Sequence, residues 1–447
     1  MILFFGFCAA IAFSLWCRSK RRQKSIAFFH PNCADGGGGE AVLWTAVDEI
    51  TKRRPDLFVC IFSTLPKSDA LCERIDQRFQ FQLPWNSIEF MPLKSTWLLN
   101  PGNYPYLTLL LQFLAGFFVG LDALLSLNPE IFVETTGVPA TLPVFRIFGG
   151  CTTVAYVHYP MITKDMINRV ASRKEMYNNA GTITKSLILT NLKLLYYYGF
   201  SLLYYLCGLT TTKVLTNGTW TKEHLETLWP FESTICYPPV KINDFVQNQN
   251  KGEKALAEKR LNVVSLGQIR PEKNHRDQLK TLSLLREEFP YHKICLKIIG
   301  SIRNEADQIL ADELRCFAEE LELKEGTDFE FVHNAKFSEI LELLQNSLCA
   351  LHTMVDEHFG IAVVEMLAAG VLVVAHKSAG PLKDIIGSSD KPVGFLGETP
   401  EDYANHIKTI IESERSEREK IRADALQWVS QKFDETKFRA QFLSVCC

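Results

Sequence analysis

The sequence has no Asp-x-Asp pair, no Cys-x-x-Cys pair and no large surplus of charge, and each absence removes a class of function. Without paired carboxylates there is no ready bridge between a divalent cation and a diphosphate, so a phosphate ligand would be neutralised by cations and amides of the chain itself. Thirteen cysteines, an odd number lying mostly within apolar runs, suggest neither a disulfide framework nor a zinc site and point to a reducing compartment. The formal net charge of -3 over 447 residues offers no global field to a polyanion, so nucleic acid is not an expected partner. An acidic residue is also missing from the end of the second apolar strand, where IFSTLPK stands. That gap argues against an oxidoreductase, although Gly36, Gly38 and Ala41 satisfy the GxGxxA dinucleotide fingerprint.

What is present is a chain that is 47% hydrophobic and too long for one ordinary core, which predicts two globular units. Residues 2–17, ILFFGFCAAIAFSLWC, are uncharged and are followed at once by RSKRRQK. This pattern predicts an N-terminal transmembrane anchor at 1–17, short but sufficient for a thin bilayer, with the basic cluster holding the following chain in the cytosol. A cleaved signal peptide is the competing reading, against which the cluster lies on the wrong side and no small-x-small site follows. The terminal Cys446-Cys447 pair looks like a geranylgeranylation signal, but nothing else in the chain calls for one, and an unmodified end is the default.

Beyond the anchor, SIAFFHP, a glycine cluster, EAVLWTAVDEI and LFVCIFST read as a βαβ unit, with a further strand at 130–134. From 261 the alternation starts again with LNVVSLGQI, KICLKIIG, FEFVHN, CALHTM and VLVVAH separated by helical stretches, which specifies a doubly wound parallel sheet. The expected organisation is a first domain at 25–240, a polar connection at 241–259, a second domain at 260–420 and a closing helix at 421–447 whose aromatic stripe could dock on either domain. Two apolar runs, 106–127 and 186–209, approach membrane-span length but contain Asp122, Asn191 and Lys193. They read equally as buried helices or as helices lying on a membrane surface, and less readily as spans.

Four stretches could carry chemistry. Gly37, Gly38 and Gly39 at a strand-to-helix turn would let backbone amides approach an anion or a sugar closely. Arg270 and Lys273 in SLGQIRPEKNH, just past a strand, suit a diphosphate whose charge grows as it leaves, though alone they read as surface cations. In DEHFGIAVVEMLAAG, Glu357 precedes a helix start whose Gly360 and Ile361 amides could hold an anion, and Glu365 sits in an apolar setting where a carboxylate is costly unless it binds something, such as a ribose diol. His158 ends an apolar strand in VAYVHYP, where a lone histidine is more often structural and a catalytic role is the minority reading.

The glycine loop, RPEK and EHFGIAVVE together resemble the retaining two-domain glycosyltransferases with an E-x7-E motif. FFHP, GGGGE, VLW, GGC, YVHYP, YPP, RPEKNH, LHTM, EHFGI, VVEM and AAG, in this order, resemble the GDP-mannose-dependent dolichol-linked oligosaccharide α-1,2-mannosyltransferases of the asparagine-linked glycan pathway, a retaining GT-B family of glycosyltransferase family 4. The resemblance implies a GT-B fold of two facing Rossmann-like domains with an N-terminal anchor, on the cytosolic side of the endoplasmic reticulum membrane. It implies GDP-mannose as donor, a dolichol-diphosphate oligosaccharide as acceptor, no metal or other cofactor, and other mannosyltransferases of the pathway as further partners. By the same resemblance, Gly37, Gly38 and Gly39 contact donor or acceptor, Arg270 and Lys273 grip the diphosphate, Glu365 binds the ribose, Glu357 holds the transferred mannose and His158 lies near the reacting carbon. The chain departs from the family at Ala41, where an arginine usually follows GGGGE, and at Ala34 and Asp35, which bears on acceptor binding. The sequon Asn217-Gly218-Thr219 would go unused in a cytosolic chain.

Overall fold

The computed structural model describes residues 2–172, 186–246 and 251–446, which divide into two compact units. The first comprises residues 1–238 and 438–447, the second 239–437. The division falls at Pro238 and Pro239, just ahead of the predicted connection. Of that connection, 247–250 lie outside the described residues, while Ile242–Phe245 and Gly252–Ala257 are helical within the second unit.

The first unit is built on a parallel sheet in the order β3-β2-β1-β4-β5-β6-β7. Its strands are β1 (Arg22–Phe29), β2 (Phe58–Ser63), β3 (Ile88–Pro92), β4 (Pro129–Glu134), β5 (Thr152–Val157), β6 (Lys213–Thr216) and β7 (Thr234–Ile235). Ile26, Ala27, Phe28 and Phe29 of β1 are all fully buried, as expected of a strand covered on both faces by helices. The second unit repeats the plan in the order β10-β9-β8-β11-β12-β13, with β8 (Arg260–Leu266), β9 (Lys293–Gly300), β10 (Phe329–His333), β11 (Cys349–His352), β12 (Leu372–His376) and β13 (Phe395–Gly397). In both sheets the chain reverses direction of winding beside the first strand, at β1/β4 and β8/β11. Ligands of such sheets bind at the carboxyl ends of the strands on either side of that reversal.

The N-terminal helix Ile2–Ser19 does not stand apart from the first unit. Cys17 is buried, Ser14 Oγ donates to the carbonyl of Ile147 at 3.0 Å, Arg18 donates to the same carbonyl at 2.9 Å, and β1 starts only three residues after the helix ends. Arg21 donates to the carbonyl of Gly150 at 2.7 Å and Arg22 lies over the Phe58 ring, so cations of the basic cluster also tie the chain to the first unit. Among the described residues one helix, Thr108–Ser126, is long and apolar enough to cross a membrane. Gly116 and Gly120 turn one face of Thr108–Ser126 against Val138, Ala140 and Thr141, while Leu114, Phe118 and Leu125 stay exposed. Asp122, the charge that interrupts this run, accepts the amides of Lys94 and Ser95 and the Ser95 hydroxyl, and so fixes a loop.

The closing segment is two helices rather than one, Arg415–Phe433 and Glu435–Cys446. The first packs in the second unit through Val429 and Phe433; the second inserts Phe438, Phe442 and Cys446 into the core of the first unit beside Phe28 and Tyr156. The aromatic stripe thus serves both units, and Cys446 is spent on packing; Cys447 lies outside the described residues. Every described cysteine is a free thiol, and Asn217 of the sequon is buried.

Candidate active site

In the second unit, β8 ends at Leu266 and the chain turns through a short helix, Pro271–Lys273, before Asn274 opens the helix His275–Glu288. On the neighbouring strand, β11 ends at His352 and the chain runs through Thr353 and Glu357 to Gly360, which caps the helix Ile361–Ala368. Neighbouring parallel strands therefore deliver both predicted loops to one edge of the sheet. There Lys273 Nζ donates to Glu357 Oε2 at 2.5 Å, with both side chains largely buried. Burial alone would raise the Glu357 carboxyl, but the hydrogen bond from His352 and the charge of Lys273 outweigh it and hold the group well below the usual carboxylate range. Arg270, three residues upstream, is more open and rests against Glu272 at 3.5 Å. It is available to a ligand at little cost, since an exposed pair of this kind contributes under about 1 kcal/mol.

Gly360 has φ 105°, a conformation that glycine adopts without strain, and it aims the first turn of the helix at this edge. Glu365, on the second turn, has no hydrogen-bond partner among the described residues, and burial pushes its carboxyl up from 4.5 to about 7. A half-buried carboxylate left without a donor is destabilising unless a ligand supplies one. The helix start is seated by Gly380, whose amide donates to the Glu357 carbonyl at 2.9 Å. A methyl group on Gly380 would lie 2.0 Å from the Phe359 carbonyl oxygen, so Gly380→Ala must displace the 357–360 loop. The expected result is a stability loss on the order of 2 kcal/mol, read by thermal melting.

The first unit offers a pocket of about 620 Å³ at its own reversal point, lined by residues that include His30, Asn32, Asp35, Glu40, Thr136 and His158. His30, directly after β1, meets Thr135 Oγ1 at 2.8 Å through Nδ1 and Glu40 Oε1 at 3.2 Å through Nε2. Glu40 Oε2 in turn accepts the Gly37 amide at 2.6 Å. The helix Gly38–Arg53 therefore starts with its own carboxylate in place: burial opposes that charge, and His30 and the Gly37 amide more than offset it. Gly38 opens this helix, and Gly39 lies where an added methyl would stand 3.7 Å from His158 Nε2 and 3.8 Å from His30 Cε1. The Thr135–Val138 turn on the far wall is held by buried Glu134, whose Oε1 accepts the amides of Thr136 and Val138 and the Thr136 hydroxyl.

The sequence-based candidates thus fall into two groups, Lys273, Arg270, Glu357, Gly360, Ile361 and Glu365 in the second unit and Gly37, Gly38, Gly39 and His158 in the first. Sequence reasoning passed over His30, Thr135 and His352, although each sits at or just beyond the end of a strand beside a reversal point, the position where polar residues after an apolar run deserve a functional reading.

Residues 23–229 match the family model described as ALG11 mannosyltransferase N-terminus, and 246–428 match the model for Glycosyl transferases group 1. The chain is 36% identical over 439 residues to the GDP-Man:Man(3)GlcNAc(2)-PP-Dol alpha-1,2-mannosyltransferase of Homo sapiens, covering 96% of this chain and 87% of the relative. The Caenorhabditis elegans protein of the same name is also 36% identical, over 97% of this chain and 93% of its own. Among solved structures, Anabaena HepE in complex with UDP and glucose aligns with a TM-score of 0.63 at 16% identity, over 94% of this chain and 98% of that one. WaaG, a glycosyltransferase involved in lipopolysaccharide biosynthesis, aligns with a TM-score of 0.65 at 13% identity, over 94% and 99%. At such identities the two structures support the fold alone, that of two Rossmann-like parallel-sheet domains of the GT-B type. The extent and level of identity to the curated relatives show that the chain belongs to the family of GDP-Man:Man(3)GlcNAc(2)-PP-Dol alpha-1,2-mannosyltransferases.

Proposed function

We propose that this chain transfers α-1,2-linked mannose from GDP-mannose to dolichol-diphosphate-linked Man3GlcNAc2, adding the fourth and fifth mannoses with retention at the transferred sugar. The observation that carries the reading is the contact of Lys273 with Glu357 beside the Gly360 helix start, which sets a cation, a carboxylate and the first turn of a helix within one loop pair. In the proposed reaction the diphosphate of the donor takes Lys273 and Arg270 as counter-ions, the ribose diol donates to Glu365, and Glu357 accepts hydroxyls of the mannose. The bond from the anomeric carbon to the phosphate oxygen breaks, a bond from that carbon to the acceptor hydroxyl forms, and the hydroxyl proton passes to the departing phosphate. No protein nucleophile or metal is required by this scheme.

The first-unit pocket suits the glycan end of the acceptor. Its polar lining, which includes His30, Asn32, Asp35, Glu40, Asn100, Thr136 and His158, suits hydrogen bonds to hydroxyls, and among the described lining residues there is no lysine or arginine to hold a diphosphate. The decisive assay supplies purified chain with radiolabelled GDP-mannose and the Man3 lipid acceptor, with UDP-sugars in parallel. Label entering the lipid fraction from GDP-mannose supports the reading; label from a UDP-sugar alone, or none, defeats it.

Retention at the endoplasmic reticulum membrane, with both units on the cytosolic side, is part of the same proposal. The N-terminal helix, Thr108–Ser126 and Leu187–Leu209 pack in series, joined by Phe13 and Phe117 on Phe148 and by Phe113 on Phe200. Outward from this row point Phe5, Phe7, Phe118, Leu195 and Leu202, a breadth of apolar surface that a lipid layer would cover. Placing Glu at both Leu195 and Leu202 is expected to reduce co-flotation with phosphatidylcholine vesicles by about 10-fold or more while GDP binding is unchanged.

A further inference from the structure

Gln278, Thr353 and His275 form a buried chain of hydrogen bonds between the two loops of the donor region. Gln278 Nε2 donates to Thr353 Oγ1 at 3.0 Å, Gln278 Oε1 meets His275 Nδ1 at 3.1 Å, and the Thr353 hydroxyl points at the carbonyls of Lys273 and Asn274 at 2.9 and 3.1 Å. All three side chains are almost fully buried, and a satisfied network of this kind fixes its backbone segments in one arrangement. The loop of Lys273 is thereby tied at its backbone to the residue that follows β11.

The residue just before that tie is His352, 2% exposed, with Nε2 3.1 Å from Glu357 Oε2. The same oxygen receives Lys273 Nζ. Glu357 thus has two partners on one oxygen, of which one, the lysine, is flexible and wanted elsewhere: a diphosphate would draw the ammonium off the carboxylate. A largely buried carboxylate abandoned by its cation must then either take up a proton or keep the lysine from the phosphate.

We propose that His352 is a positioning residue for mannose transfer, a fixed hydrogen-bond partner that holds the Glu357 carboxylate in place when the donor diphosphate engages Lys273. The inference rests on the donor reading above and deepens it, because it explains how one cation can serve the resting pair and the leaving group in turn. His352 itself touches neither phosphate nor sugar in this account; it acts through Glu357. An apolar side chain at 352 leaves Lys273 as the only side-chain partner of Glu357 among the described residues, so sugar orientation and phosphate neutralisation compete for one ammonium.

The test compares H352L, which removes the donor, with H352Q, whose amide nitrogen reaches nearly the position of Nε2, in full-length chain assayed with GDP-mannose and lipid acceptor. H352L is expected to lower kcat by about 10-fold or more, while the calorimetric Kd for GDP stays within about 3-fold of wild type; H352Q is expected to stay within about 3-fold of wild type in both. Melting temperatures guard against a folding defect, and if leucine unfolds the chain, H352N, polar but too short to reach Glu357, takes its place with the same expectation. Turnover by H352L or H352N equal to wild type, or equal loss in H352Q and H352L with GDP affinity retained, overturns the proposal while the donor reading stands. A wild-type chain that transfers no mannose from GDP-mannose overturns both.

Discussion

Lys273→Ala is expected to lower kcat/KM for mannose transfer by about 100-fold or more and to leave both units folded. The lysine is the best-placed cation for the leaving group, held 2.5 Å from Glu357 on a loop whose backbone is fixed by Thr353. On the proposed reading its loss removes charge stabilisation from the departing diphosphate and leaves Arg270, which is more open, as the remaining cation of the loop. Breaking a fully buried ion pair costs about 3–5 kcal/mol, but this pair is partly open to water and His352 stays on the carboxylate, so the expected cost to folding is smaller. Initial rates, together with a melting curve for the same preparation, decide the matter. Wild-type turnover in this variant would mean that the loop is not where the diphosphate goes.

Glu365→Gln is expected to do two opposite things. Burial lifts the Glu365 carboxyl from 4.5 to about 7 in the folded chain, so between these values the folded state keeps a proton that the unfolded state has released. The stability this supplies is complete below pH 4.5 and is lost as pH rises through 7. Glutamine imitates the protonated form at every pH. The ligand-free variant should therefore match wild type near pH 5 and exceed it near pH 8, by ~1–3 kcal/mol. Donor binding should move the other way. A ribose diol has two hydroxyls to donate, the charged carboxylate accepts them best, and loss of that charge should weaken GDP binding by about 10-fold or more at pH 8. In wild type the affinity for GDP should rise between pH 6 and 8, by about a few-fold, and in the variant it should be flat. A variant less stable than wild type at pH 8, or one that binds GDP equally well, would show that Glu365 has a partner inside the protein and is not the ribose acceptor.

How much of this was legible in the sequence depended on length and on pairing. Strands β8 to β12 could be read because each is an apolar run of useful length between helical stretches, and the helix from Gly360 onward announced itself by a glycine at one end and AAG at the other. Strands β6, β7 and β13 are four, two and three residues long and sit at or near sheet edges, where so short a segment has no period to recognise. The chemistry followed the same division. Glu365 was visible as a carboxylate in an apolar stretch that makes charge expensive, whereas Lys273 and Glu357 were visible only through the loops they stand in, since alone they read as surface charges. His352 and His30 were not, because what marks them is a partner distant along the chain or across a turn, Glu357 and Thr135, and only the folded backbone brings those atoms within hydrogen-bond distance. The N-terminal segment shows the same limit: composition reported an apolar helix followed by cations, but not that Arg18 and Arg21 have carbonyl oxygens within hydrogen-bond distance at Ile147 and Gly150.

The last helix imposes an order on biosynthesis. Phe438 and Phe442 complete a core whose first strand was made more than 400 residues earlier, and Phe442 stacks on Phe28. Until translation reaches Phe438 and Phe442, the nascent first unit holds an open apolar slot beside β1, and the entire second unit is synthesised while that slot waits. Domains are generally expected to fold in turn as they leave the ribosome. Here the unit that emerges first is completed only after the second has been made, so a chain that stops before Phe438 would lose the closure of its oldest part.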